Sequence, residues 1–147
     1  MPPLRATWGE IFEPAIADLY DFRDTVPDLI IDIGANMGSF TCWAAYLRPK
    51  AVVHAFEPSE KHADWLEKNA VLNGLSNVGV HRKAVTNDGR EVLYSHFDAG
   101  GSSGIFLHGE GRVEKITSTS LDCIDFAKSA SVFFKIDCEG AEGEIIE

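Results

Sequence analysis

Three carboxylates and a lysine stand where an apolar run ends, and that placement is where acid–base chemistry can be built. Val132-Phe133-Phe134-Lys135-Ile136 reads as a buried strand that delivers Lys135, Asp137 and Glu139 to one end of a sheet. Asp137, with Glu139 second, is the candidate general base, and Lys135 is the candidate orienter, since an ordinary ammonium is no base near neutral pH. Asp137 could equally cap the helix that follows, and Lys135 could be a strand residue paired with an acid. The third carboxylate, Asp32, ends another apolar run, Leu29 to Ile33, and is followed by the turn Gly34-Ala35-Asn36-Met37-Gly38. Glycines turn without a Cβ penalty and let a ligand approach the backbone, and a helix starting at Gly38, Ser39 and Phe40 would aim its first N–H groups at that ligand. Such a turn also forms for purely structural reasons.

A fourth acid, Glu57 in Phe56-Glu57-Pro58, lies 25 residues after Asp32, at the end of the next apolar run. There a carboxylate can accept both hydroxyls of an adenosine ribose. The alternative is a surface acid that favours the N-terminus of the next helix. Dinucleotide sites use Gly-x-Gly-x-x-Gly to admit a pyrophosphate, and the turn here lacks the middle glycine. That favours an adenosine cofactor without a pyrophosphate, such as S-adenosylmethionine, and makes Gly34, Ala35, Asn36, Gly38, Ser39, Phe40, Glu57 and Pro58 candidate contacts. Asp137 and Glu139 are two carboxylates without a histidine at ligand spacing, too few for a metal cage, so no metal site is expected.

The elements that must position these residues alternate between strand and helix, which specifies an α/β fold with a parallel sheet. Expected strands are Leu29–Ile33, Ala51–Phe56, Asn77 to about Lys83, and Val132–Ile136. Expected helices are Gly38–Leu47, closed by Pro49, and one from the cap Ser59 to Leu72, stopped by Asn73-Gly74. Right-handed crossovers then give the strand order 3-2-1-4 of a Rossmann-like sheet, with Asp32 and Asp137 facing the crevice where the order reverses. Between them Glu91–His96 and Arg112–Thr117 alternate as an inserted hairpin, joined through the glycine-rich stretch 98–104. His96 and His108 in that hairpin could swing over the site, though loop histidines are more often simply exposed. A short helix over Leu121–Ala127, capped by Thr119 or Ser120, is expected before the last strand. Trp8, Ile11, Phe12, Ala15, Ile16, Leu19 and Tyr20 repeat at helical spacing, so residues 1–27 read as a helical lead-in and 28–147 as the cofactor-binding domain.

Composition sets the outer limits. The chain has 147 residues, 45% hydrophobic and 24% charged, enough for one core and one domain. Its formal charge of -10 argues against a nucleic-acid partner, because phosphate backbones recruit clustered Lys and Arg. The three cysteines, Cys42, Cys123 and Cys138, show no metal-knuckle spacing and form an odd set, which suits free thiols in a cytoplasmic protein. No stretch approaches the ~20 apolar residues that span a bilayer, so no membrane partner is expected.

From about Leu29 onward the chain resembles the FkbM-type methyltransferases, a class I S-adenosylmethionine-dependent group. The likeness is carried by Ile31-Asp32-Ile33-Gly34-Ala35-Asn36-Met37-Gly38, by Val53-His54-Ala55-Phe56-Glu57-Pro58, and by Asn69, Leu72-Asn73-Gly74 and Asn77-Val78. It continues through Gly100-Gly101-Ser102-Ser103, Thr119-Ser120-Leu121-Asp122 and Phe134-Lys135-Ile136-Asp137-Cys138-Glu139-Gly140-Ala141-Glu142. The resemblance implies cofactor contacts at Asp32, Gly34, Asn36, Gly38 and Glu57, with Asp137 at the methyl-transfer crevice. Two departures stand out. Many class I members place an acid after strand three to hold the adenine amino group, where this chain reads Lys83-Ala84-Val85, leaving backbone groups or Asn87 for that task. Relatives also continue through further strands. The expected function is O-methylation of a hydroxyl on a sugar, polyketide or similar small molecule. Alternatives are a cofactor-binding but catalytically incomplete module and an NAD-type oxidoreductase. An apolar last strand left at a sheet edge is expected either to favour self-association into a homo-oligomer or to mark the chain as a piece of a longer protein.

Overall fold

Two sheets share one face of packing in the computed structural model, which describes residues 25–96, 112–138 and 141–146. The first is parallel and four-stranded, with β1 (Leu29–Ile33), β2 (Val52–Phe56), β3 (Val78–His81) and β7 (Val132–Ile136) in the order β3-β2-β1-β7. This is the α/β, Rossmann-like order 3-2-1-4 expected from right-handed crossovers. Helices α1 (Ser39–Leu47) and α2 (Glu60–Leu72) connect its first three strands, and α3 (Glu142–Ile146) follows β7. The second sheet has β4 (Ala84–Val85), β5 (Glu91–His96) and β6 (Arg112–Thr119) in the order β4-β6-β5.

Alternation along β1 sorts the core into two faces. Ile30 packs with Phe40, Ala44, Ala45 and Val53 beneath α1, and Phe133 of β7 joins them. Leu29, Ile31 and Ile33 face the other way, against Phe56, Val85 and Ile124, with Val132, Ile136 and Ile145 at the margin. All five residues of β1 are buried, as befits a central parallel strand covered on both sides. Burying each of its isoleucines stabilises the fold by about 1.5–3 kcal/mol relative to exposure.

Local chemistry explains most boundaries. Gly38 sits at φ 85° immediately before α1, a left-handed position that favours glycine. Ser59 caps α2, its Oγ accepting from His62 N at 3.4 Å, and Gly74 ends the helix region at φ 65°. Asn77 closes α1 from across the loop, its Nδ2 donating to Ala51 O at 2.9 Å and Arg48 O at 3.2 Å. The hairpin forms as expected, with Glu91 opposite Thr117 and His96 opposite Arg112. Beyond Thr117, β6 runs on to pair in parallel with β4, Ala84 with Ser118 and Val85 with Thr119, so the insert is a three-stranded sheet.

One expected element is corrected. In place of a helix over Leu121–Ala127 there are two 3-10 turns, Leu121–Cys123 and Phe126–Lys128. Ser120 does not cap: its hydroxyl donates to Asp122 Oδ2 at 3.0 Å, and Ile124 is extended at φ -98°, ψ 128°. Asp125 caps the second turn instead, accepting from Ala127 N at 3.2 Å. The helical lead-in, the 98–104 tip, His108 and Glu139 lie outside the described residues. Among the described residues no helix is long and apolar enough to cross a membrane.

Candidate cofactor site at the β1–α1 turn

The turn after β1 is held together by its own backbone. Gly34 N and Ala35 N both donate to Phe56 O at 3.0 Å, Asn36 N donates to Glu57 Oε2 at 2.8 Å, Met37 N to Asn36 Oδ1 at 2.8 Å, and Gly38 N to Ala35 O at 2.9 Å. Every N–H from Gly34 to Gly38 is thus spent within the protein. The first bond of α1 runs from Cys42 N to Gly38 O at 2.9 Å, so the N–H groups of Ser39, Phe40 and Thr41 lie ahead of the helical ladder. Three residues, Gly34 (φ 77°), Asn36 (φ 52°) and Gly38 (φ 85°), adopt left-handed backbone. Asn69 of α2 adds a clasp, its Nδ2 donating to Met37 O at 2.8 Å.

The two glycines face the protein. A Cβ on Gly34 would lie 2.0 Å from the Asp137 carbonyl oxygen, and one on Gly38 would lie 2.7 Å from Leu66 Cγ. The close approach they permit is therefore to β7's end and to α2.

Glu57 stands at the end of β2, 4% exposed. Its Oε2 accepts from Asn36 N and its Oε1 from Ser59 N, both at 2.8 Å. Burial pushes its carboxyl above the ordinary value, opposed mainly by those two N–H groups and by His62, whose Nδ1 is 3.8 Å from Oε1. Each oxygen has two lone pairs, so one remains on each after these bonds. Glu57 N donates to His81 O at 3.0 Å, which ties the acid to the end of β3. Beside that strand end an open groove of about 380 Å³ is lined by Val80, His81, Arg82, Lys83, Thr119 and Cys123.

Register explains the fate of Asp32 and Lys135. Asp32 follows Ile30 on the helix-covered face of β1, and Lys135 is its direct neighbour on β7. Asp32 is fully buried, with Oδ2 accepting from Thr41 Oγ1 at 2.5 Å and Oδ1 3.0 Å from Lys135 Nζ, an ion pair rather than a well-directed hydrogen bond. Burial pushes its carboxyl up from the usual aspartate value; the Lys135 ammonium is the largest influence holding it down. Lys135 is 6% exposed and donates to Gly34 O at 2.8 Å. Of the two acids expected to face the crevice, Asp32 is enclosed, while Asp137 lies just past β7 with its side chain half-exposed and Oδ2 3.9 Å from Lys135 Nζ. Asp32 turns inward because it lies on the α1 side of an alternating strand. Lys135, grouped with the catalytic acids in the sequence, likewise points into the molecule.

Asn87 is placed elsewhere. Its Oδ1 accepts from Arg90 Nη1 at 3.3 Å, in a loop that Arg90 ties to Glu144 of α3. Pro58 lies between Glu57 and the α2 cap. Burial drives the Cys42 thiol to about 11 and the Cys138 thiol to about 12, with Asp32 and Glu142 respectively adding to the rise, so neither is a thiolate nucleophile at neutral pH. Among the described residues no group of three or more His, Cys, Asp or Glu is arranged to hold a metal ion. Thr41 was not singled out from the sequence, although a hydroxyl inside an apolar helix face, one turn after Gly38, is a usable signal that a buried polar partner lies beneath. Leu66, which braces the turn from α2, carries no chemical signal in the sequence, and Asn69 stands out there only through the family resemblance.

A methyltransferase FkbM domain model matches residues 32–147, the stretch that carries this turn, Glu57 and β7. The chain belongs to the FkbM methyltransferase family. It is 32% identical over 73 residues to Methyltransferase 1 of Beauveria bassiana (strain ARSEF 2860), a match covering 50% of this chain and 28% of that protein. The FkbM chain thus spans under a third of the curated relative's length. Partial likenesses among solved structures include coclaurine N-methyltransferase bound to N-methylheliamine and SAH, with TM-score 0.42, 27% identity, and coverage of 46% of this chain and 21% of that one. Another is StiE O-MT, with TM-score 0.40, 14% identity, and coverage of 55% and 34%.

Proposed function

We propose that this FkbM chain binds S-adenosylmethionine and carries out methyl transfer to a hydroxyl of a small molecule such as a sugar or polyketide. The observation that carries the reading is the hydrogen-bond accounting of the turn. A pyrophosphate needs backbone donors, and with all five N–H groups from Gly34 to Gly38 already taken only those of Ser39, Phe40 and Thr41 at the start of α1 remain for one. A ribose needs a paired acceptor, and Glu57 keeps a free lone pair on each oxygen. The residues present therefore fit an adenosine without a pyrophosphate, held by Glu57 with Pro58 and by the turn, its adenine toward the groove beside His81 and Lys83. That groove has no carboxylate in its lining, so adenine would be read by backbone groups there rather than by Asn87, which the structure engages with Arg90.

When bound, the cofactor supplies a sulfonium methyl that moves by in-line displacement. The protein's task is to hold the acceptor oxygen aligned with that methyl, which is worth more than any single acid or base. In this reading Asp137, half-exposed just past β7, takes the proton the acceptor hydroxyl loses, adding roughly 10²- to 10⁴-fold. The test is a methyl-release assay with S-adenosylmethionine across hydroxylated acceptors, beside calorimetry with S-adenosylhomocysteine and NAD. Binding of S-adenosylhomocysteine without turnover on any acceptor leaves a cofactor-binding module. Binding of NAD alone removes the methyltransferase reading.

A further inference from the structure

The peptide unit between Gly34 and Ala35 is gripped from both sides of the sheet. Its N–H, on Ala35, donates to Phe56 O of β2 at 3.0 Å, and its C=O, on Gly34, accepts from Lys135 Nζ of β7 at 2.8 Å. A peptide that follows glycine rotates with little steric penalty, because no Cβ disfavours the alternative orientation. Gly34 cannot be exchanged for a stiffer residue, since a Cβ there would meet the Asp137 carbonyl at 2.0 Å. The turn is thus built on a pivot that must be fastened by something else. The fastener is a buried ammonium that Asp32 holds at 3.0 Å, itself fixed by Thr41 at 2.5 Å.

We infer that Lys135 is a positioning residue that locks the Gly34–Ala35 peptide in one orientation and so keeps the cofactor turn preformed. The inference rests on the S-adenosylmethionine reading above and deepens it. At 6% exposure, with its ammonium turned to Asp32 and Gly34, Lys135 touches neither acceptor nor methyl group, and it acts through the backbone. If the peptide rotated, Ala35 N would leave Phe56 O, and Asn36 N, one residue on, would lose its aim at Glu57 Oε2. The carboxylate proposed to hold the ribose would then lose one of the two N–H groups that orient it. Cofactor affinity would fall by the fraction of molecules whose turn is correctly set.

The experiment uses the full chain, with Lys135→Met and the charge-free double variant Asp32→Asn/Lys135→Met. Removing one partner of a buried ion pair leaves an uncompensated charge, whereas removing both relieves it, so the double variant should regain most of the melting temperature lost by the single one. It should not regain affinity. Calorimetry is expected to show S-adenosylhomocysteine binding weakened on the order of 10- to 100-fold in both variants. The Ala35 and Asn36 amide signals, sharp in the wild type with or without ligand, should broaden or double in both. Affinity that returns together with stability in the double variant, or binding within about twofold of wild type in either, overturns the lock and leaves the cofactor reading standing. Doubled Ala35 and Asn36 signals in the ligand-free wild type overturn it without reference to any variant. A folded wild type that binds no S-adenosylhomocysteine overturns both.

Discussion

Replacing Gly34 by alanine should cost several times more than the same change at Gly74, although both residues have left-handed backbone. Gly34 is at φ 77° and Gly74 at φ 65°, so each alanine would carry a similar conformational strain of about 1–2 kcal/mol. Each change also restricts the unfolded chain, which offsets about 0.4–1 kcal/mol of that. The sites differ in what the new methyl meets. At Gly74 nothing lies within 4 Å, whereas at Gly34 the Asp137 carbonyl oxygen lies at 2.0 Å and its carbon at 2.8 Å. Those atoms are backbone at the end of β7, already fastened by Asp137 N donating to Ile33 O at 3.1 Å, so they cannot swing aside as a side chain would. Forcing such a shift costs roughly a further 1–3 kcal/mol, a sizeable share of the 5–15 kcal/mol that typically separates folded from unfolded chains. For a chain of this length 1 kcal/mol moves the melting temperature by roughly 2–4 °C, so Gly34→Ala should melt about 2–12 °C below Gly74→Ala. Thermal unfolding followed by circular dichroism at fixed concentration reads this directly. Equal melting temperatures for the two variants would refute the claim that β7's end presses on the cofactor turn.

Two further outcomes follow from other parts of the molecule. His54 Nδ1 and His81 Nε2 are 2.8 Å apart and share one proton, and burial, joined at His81 by its neighbours His54 and Lys83, lowers both below the ordinary 6.5. A lowered histidine binds fewer protons folded than unfolded, so its stabilisation is present above about pH 6.5 and is lost as pH falls through the folded value. Urea midpoints for wild type and His81→Asn should therefore diverge at neutral pH and converge on acidification, and a constant gap would contradict the pairing. At the other side of the sheet β7 pairs only with β1 among the described residues, and Phe134 is 43% exposed there. We propose a second copy of this chain as the occupant of that edge. Light scattering should show a dimer that Phe134→Lys weakens, and a monomer across the accessible concentrations would refute it.

The parallel sheet was legible because its signal is local. Leu29–Ile33, Val52–Phe56 and Val132–Ile136 are apolar runs bounded by turn residues, and right-handed crossovers leave few ways to order them. The caps Ser59 and Gly74 were legible for the same reason. What the sequence concealed was direction. Asp32 and Lys135 look like crevice residues until the β1–β7 register sets them side by side on the α1 face, and that register depends on a pairing across 103 positions of chain. The glycines were legible as turn residues, whereas their neighbours, the Asp137 carbonyl and Leu66, come from β7 and α2 and leave no mark near Gly34 or Gly38. The helix expected at Leu121–Ala127 breaks at the extended Ile124, and the local bonds of Ser120 to Asp122 and of Asp125 to Ala127 N are ones that composition alone cannot rank against a continuous helix.

We propose that the β1–α1 turn and Glu57 form one site for the adenosine of S-adenosylmethionine. Isothermal titration of S-adenosylhomocysteine into wild type and Glu57→Ala, with folding of each checked by circular dichroism, tests it most directly. The wild type should bind, and a folded Glu57→Ala chain should lose that binding. Equal affinity in the two would contradict it.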